Sequence, residues 1–147
     1  MAVAPAVGTA RGAVPVPRST PAGPPASSSA LGLLRQADAG LLEAERLADP
    51  CRRYATAYLA ALRAGAAVLA VRAAPATRRR GGRSVWDLLT AVAPELAEWA
   101  AFFAAGSAIR ASAEAGIARL VSERDADDLV RQAAEFVAVS RSLVCCR

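Results

Sequence analysis

Residues 84–110, SVWDLLTAVAPELAEWAAFFAAGSAIR, carry four of the chain's seven aromatic side chains, namely Trp86, Trp99, Phe102 and Phe103. Large rings remove far more area from water than alanine can, so this stretch is expected to form the core that the other segments wrap around. Leu96, Trp99 and Phe103 stand at the i, i+3, i+7 spacing of one helix face, with Phe102 and Gly106 on the neighbouring rows. Ser84 with Asp87 three residues on has the form of an N-terminal cap. Pro94 predicts a sharp kink or a break, because proline has no N–H to give the helix and crowds the turn before it. Beyond such a break Glu95 and Glu98 would fall in a first turn, at the positive end of the helix dipole.

Upstream, residues 50–73 read as a helix that Pro50 opens, with a stripe of Tyr54, Ala57, Tyr58, Ala61, Gly65, Val68 and Leu69 whose small members let a neighbour approach closely. Tyr54 and Tyr58 are one turn apart: they are either a polar pair lining a cleft or two packed rings whose hydroxyls reach the rim. Before them, Leu34, Ala37, Leu41, Ala44 and Ala48 make the stripe of a first helix from about Ala30, ending near Asp49, because a residue preceding proline is pushed out of the helical region. Downstream, a helical stretch over 107–115 stops near Gly116, and Ser122 with Asp125 opens a last helix. Its buried face is Ala126, Leu129, Val130, Ala133, Phe136, Val137, Leu143 and Val144, and Asp127 and Arg131 have the i,i+4 spacing of an ion pair.

Two stretches do not read as regular structure. Residues 1–29 are alanine, proline, glycine, serine and valine with Arg11 and Arg18, and hold six of the nine prolines. That composition cannot bury enough apolar surface to offset chain entropy, so it reads as a disordered tail, with 30–147 as one helical domain. Residues 74–83, APATRRRGGR, read as a loop. Arg78, Arg79, Arg80 and Arg83 are the candidate phosphate contacts there, electrostatic and unspecific because no aromatic residue offers a surface for a base to stack on.

All eighteen basic residues are arginine, the net charge is +5, and the chain has no histidine. Without imidazole no Ser-His-Asp or Cys-His site can be assembled within the chain. Asp127 and Asp128, adjacent on a helix, point about 100° apart rather than into one site. There is no phosphate-binding glycine loop: GGRS at 81–84 lacks the glycine spacing and the lysine. Three cysteines, Cys51, Cys145 and Cys146, fit neither a disulfide framework nor a zinc site, so a reducing cytoplasm is expected, with no metal and no cofactor. No run reads as membrane-spanning: the best, 54–71, has Arg63 at its middle, where an arginine costs about 2.5–3.5 kcal/mol. The prolines at the start also break any signal-peptide core.

The segments RRYATAYLAALRAGAAVLAVRA, SVWDLLTAVAPELAEWAAFFAAG and SERDADDLVRQAAEFV, in that order and with a basic loop after the first, resemble a family of small actinobacterial HEPN-domain proteins (higher eukaryote and prokaryote nucleotide-binding domains) of the SAV type. The resemblance covers roughly residues 31–144. It implies an all-α, up-and-down bundle of four to five helices and commonly a homodimer. Many HEPN domains are metal-independent ribonucleases in which an arginine is followed four to six residues later by a histidine. Arg124 and Arg131 lie in the corresponding region, but Asp128 and residues 135–137 stand where that histidine would be. The expected function is therefore a non-catalytic binding or dimerisation module with a second copy or a helical protein as partner. The alternative is an RNA-binding or RNA-cleaving protein acting through Arg78, Arg79, Arg80, Arg83, Arg124 and Arg131.

Overall fold

A computed structural model describes residues 24–73, 82–117 and 120–146, with the side chains of 24–27 left aside. Six α-helices and one 3-10 turn account for almost all of them, and among the described residues there is no strand. The helices are α1 (Pro24–Arg46), α2 (Pro50–Arg72), α3 (Val85–Val92), α4 (Ala97–Ala105), α5 (Ser107–Glu114) and α6 (Glu123–Cys145), with the 3-10 turn Pro94–Leu96 between α3 and α4.

The chain makes four legs. α1 and α2, 23 residues each, run antiparallel across a short turn, and a Cβ on Gly40 would touch that of Ala60 at 3.4 Å. The third leg returns along α2, since Val85 and Trp86 lie against Gly65 while Gly106 lies against Tyr54. It is broken twice, at Pro94 and at Gly106. The fourth leg, α6, starts beside the start of α2, where Arg53 meets Glu123 and Asp127. The bundle is thus all-α and up-and-down, as expected, with its third leg in pieces.

Local signals account for most of the boundaries. Asp49 caps α2 by accepting from the Arg52 N–H, with Pro50 in the first turn, where its missing N–H costs nothing. Ser84 accepts from the Asp87 N–H. Ser122 and Asp125 close a reciprocal capping box at 2.9 and 3.1 Å. α5 ends in a Schellman arrangement: Gly116 takes φ +78°, and the Gly116 and Ile117 N–H groups donate to the carbonyls of Ala113 and Ser112.

Four expectations need correction. α1 begins at Pro24 rather than near Ala30, because Pro24 and Pro25 fall in the first turn, the one place where a helix tolerates proline. The rest of the expected tail, residues 1–23, lies outside the described residues. The hub of the bundle is α2, which α1, α3, α5 and α6 all pack against, and not the aromatic stretch. That stretch instead supplies rings to one side of α2, where Trp86 and Phe103 pack on Tyr58 and meet Phe136 of α6. Of those rings Trp86 and Phe103 are buried, whereas Trp99 is half-buried and Phe102 is 47% exposed, so Leu96, Ala100 and Phe103 form the true inner row. Finally, α2 is long enough and apolar enough to cross a membrane by length and composition, with mean hydropathy 1.4 over its most apolar window. Here it is the helix the others cover, and its Tyr54, Ala57, Tyr58, Ala61, Ala64 and Val68 are buried in the bundle.

Candidate functional site

The third leg bends at Gly106 over the two tyrosines of α2, and the bend leaves a hollow. A Cβ on Gly106 would come within 3.1 Å of the Tyr54 hydroxyl oxygen and 3.6 Å of the Tyr58 ring, so any larger residue would push the Tyr54 hydroxyl aside by a few tenths of an ångström. The hollow, about 240 Å³, is lined by Tyr54, Tyr58, Phe102, Phe103, Ala105, Gly106, Ile109 and Leu129. It opens toward Asp125 and Asp128 on α6, and on the other flank of Phe102 a second hollow is lined by Glu98, Trp99 and Gln132. Phe102 therefore stands as a ridge in an apolar groove with carboxylates on its rim. Both it and Ile109, 40% exposed, present apolar surface to solvent.

The two tyrosines play different parts. Tyr58 is 1% exposed; its hydroxyl accepts from the Trp86 indole N–H at 3.1 Å and donates to the Phe103 carbonyl. Burial holds its pKa above the ordinary value, although the Trp86 hydrogen bond and the nearby Arg110 charge pull the other way. Tyr54 stacks beside it with ring centroids 6.4 Å apart. Its hydroxyl has no hydrogen-bond partner among the described residues, and its pKa is raised by burial first, then by Tyr58 and Asp125. The pair thus lines a cleft and packs its rings at once. Arg110 lies over the Tyr58 ring at 5.2 Å and pairs with Glu114 at 2.9 Å.

The candidate arginines that the structure describes, Arg83, Arg124 and Arg131, do not converge. Arg78, Arg79 and Arg80 lie outside the described residues. Arg83 is exposed just before the Ser84 cap, near the Gly65 level of α2, whereas Arg124 is exposed in the first turn of α6, near Arg53. Those levels are about 18 Å apart along α2. Arg131 is exposed and held by Asp128. The expected Asp127–Arg131 pair is absent, because Asp127 faces the start of α2 and is taken by Arg53 at 3.0 Å. Among the described residues no cluster of three or more cysteine and carboxylate side chains could hold a metal ion.

Sequence reasoning missed Arg53. It is 9% exposed and makes four hydrogen bonds of 3.0 Å, to the Leu47 and Ala48 carbonyls and to Glu123 and Asp127. These tie the α1–α2 turn to the head of α6 and satisfy a charge that would otherwise be costly to bury. One signal was present: Arg53 stands in register with Ala57, Ala60 and Ala64, a row of small residues that reads as an inner face.

A family model of the SAV_6107-like HEPN proteins matches residues 44–141, from the last turn of α1 through most of α6. No curated protein and no solved structure matches the chain. The matched span takes in α2, the broken third leg and the groove between that leg and α6, and the chain belongs to the SAV_6107-like HEPN family.

Proposed function

We propose that this HEPN domain is a non-catalytic, cytoplasmic association module whose groove around Phe102 takes a partner, in the first place a second copy of the chain. The observation that carries this reading is the exposure of Phe102 and Ile109 beside an apolar hollow, since a cluster of large apolar groups in water gains by being covered. Two features speak against catalysis. The chain has no histidine to act as a base near neutral pH, and Arg53 and Arg131 are occupied by carboxylates. Sedimentation velocity of the wild type and of Phe102→Asp tests the reading. A dimer for the first and a monomer with unchanged melting temperature for the second is the expected result; a wild type that stays monomeric at high micromolar concentration overturns it.

A second reading, RNA binding through arginine, is favoured by one observation: Arg83 and Arg124 are exposed and have no ion-pair partner among the described residues. Incubation with labelled RNA separates the two. Cleavage would establish an enzyme that works without histidine, and a salt-sensitive shift without cleavage would establish binding alone.

A further inference from the structure

The groove's chemistry selects its occupant. Its walls are aromatic and aliphatic, Tyr54, Phe102, Ile109 and Leu129, and its rim is acidic, with Asp125 and Asp128 on α6 and Glu98 on α4. Asp128 already holds Arg131, which leaves Asp125 and Glu98 without an ion-pair partner among the described residues. One wall group, the Tyr54 hydroxyl, is a donor with nothing to donate to among the described residues. Such a groove suits an extended strand that is apolar, basic and rich in unpaired carbonyls. A proline-rich strand has those properties: fixed φ lowers the ordering cost, proline leaves no N–H to be stranded, and the carbonyls point outward.

The chain contains such a segment ahead of α1. Residues 13–18 read AVPVPR, and the whole of residues 1–23 contains Arg11 and Arg18 and no acidic residue. We propose that this segment of a second copy lies in the groove, with Pro15 and Pro17 against Tyr54 and Phe102, Arg18 on Asp125, and a strand carbonyl accepting from the Tyr54 hydroxyl. The proposal rests on the association reading above and names what the groove takes.

Geometry assigns the segment to another copy rather than to its own chain. Pro24 stands sixteen residues before Gly40 and Tyr54 six before Ala60, while Gly40 and Ala60 are level with each other. At 1.5 Å per helical residue the start of α1 and the groove are therefore about 33 Å apart along the bundle. Arg18 is six residues before Pro24. That stretch covers about 19 Å as a polyproline strand and about 22 Å when fully extended, so it falls short even with the arginine side chain added. A neighbouring molecule has no such restriction, and two copies can exchange segments reciprocally.

The test uses the full chain with a photo-crosslinking amino acid in place of Val16, mixed with an isotope-labelled wild-type copy and mapped by mass spectrometry. Crosslinks are expected between copies, onto α4–α6 residues that border the groove. Arg18→Glu or Phe102→Asp should lower their yield about tenfold, the effect of losing one charge-assisted contact or the apolar ridge. Crosslinks confined to the same copy, scattered over the surface, or unchanged in both variants overturn the proposal. Sedimentation of the same samples keeps the two ideas apart. If Phe102→Asp abolishes the dimer while Val16 crosslinks elsewhere, the occupant is wrong and the association reading stands; a monomeric wild type removes both.

Discussion

Trp86 is 4% exposed, stacks on Phe103 at 5.0 Å and spends its indole N–H on Tyr58, while Trp99, also stacked toward Phe103, keeps part of its ring in water. Truncation should separate them: Trp86→Ala is expected to cost about 3–5 kcal/mol, and Trp99→Ala about 1–2 kcal/mol, in denaturant titrations. Equal losses would mean that the exposed edge of Trp99 is covered in solution. The two tyrosines are the only ones in the chain, which makes their ionisation easy to follow. Both have folded pKa values above the ordinary 10.0, so the fold favours the neutral phenol. Their stabilisation is complete below pH 10.0 and is lost as the pH rises through the folded values. Melting temperature should therefore hold up to that pH and then fall, with tyrosinate absorbance appearing above the free-tyrosine pH. Ionisation at the free-tyrosine pH in a still-folded chain would contradict the raised pKa of both phenols.

At the level of helices, the sequence marks its boundaries wherever the cause is local. Asp49-Pro50, Ser84 with Asp87, Pro94, Gly116 and Ser122 with Asp125 each act within four residues, and each marks a boundary close to where it is found. Ser122→Ala removes half of the capping box and is expected to cost about 1 kcal/mol, measured by chemical denaturation with Asp125 left in place. No measurable loss would make the box redundant with the packing of Ala126 and Leu129. What stayed hidden depends on residues far apart in the chain. Helical spacing placed Trp99, Phe102 and Phe103 on adjacent rows but could not say which row turns inward, because that depends on where Tyr58 and Phe136 stand. Arg53 could not be matched to its carboxylates, which come 70 and 74 residues later.

Across the whole molecule, the groove was equally illegible, since four elements have to meet before Phe102 has anything to stand beside. The arginine run, in contrast, was plain in sequence, and its independence from the fold can be checked. Changing Arg78, Arg79, Arg80 and Arg83 together to serine should leave the melting curve unchanged. Any affinity for RNA at low salt should meanwhile fall about tenfold or more, with a shallower salt dependence. Binding that survives unchanged would shift attention to Arg124. The Arg53 clamp has a consequence in time as well as in stability. It joins residues 70 and 74 positions apart, so closing it costs more chain entropy than any local contact and it is expected to form late on the folding route. Its loss should therefore fall mainly on the unfolding limb of a chevron: Arg53→Met is expected to raise the unfolding rate while leaving the refolding rate close to that of the wild type. Slower refolding would instead place the clamp in the folding nucleus. On the late-forming reading, this one guanidinium lengthens the time the native bundle stays closed between openings.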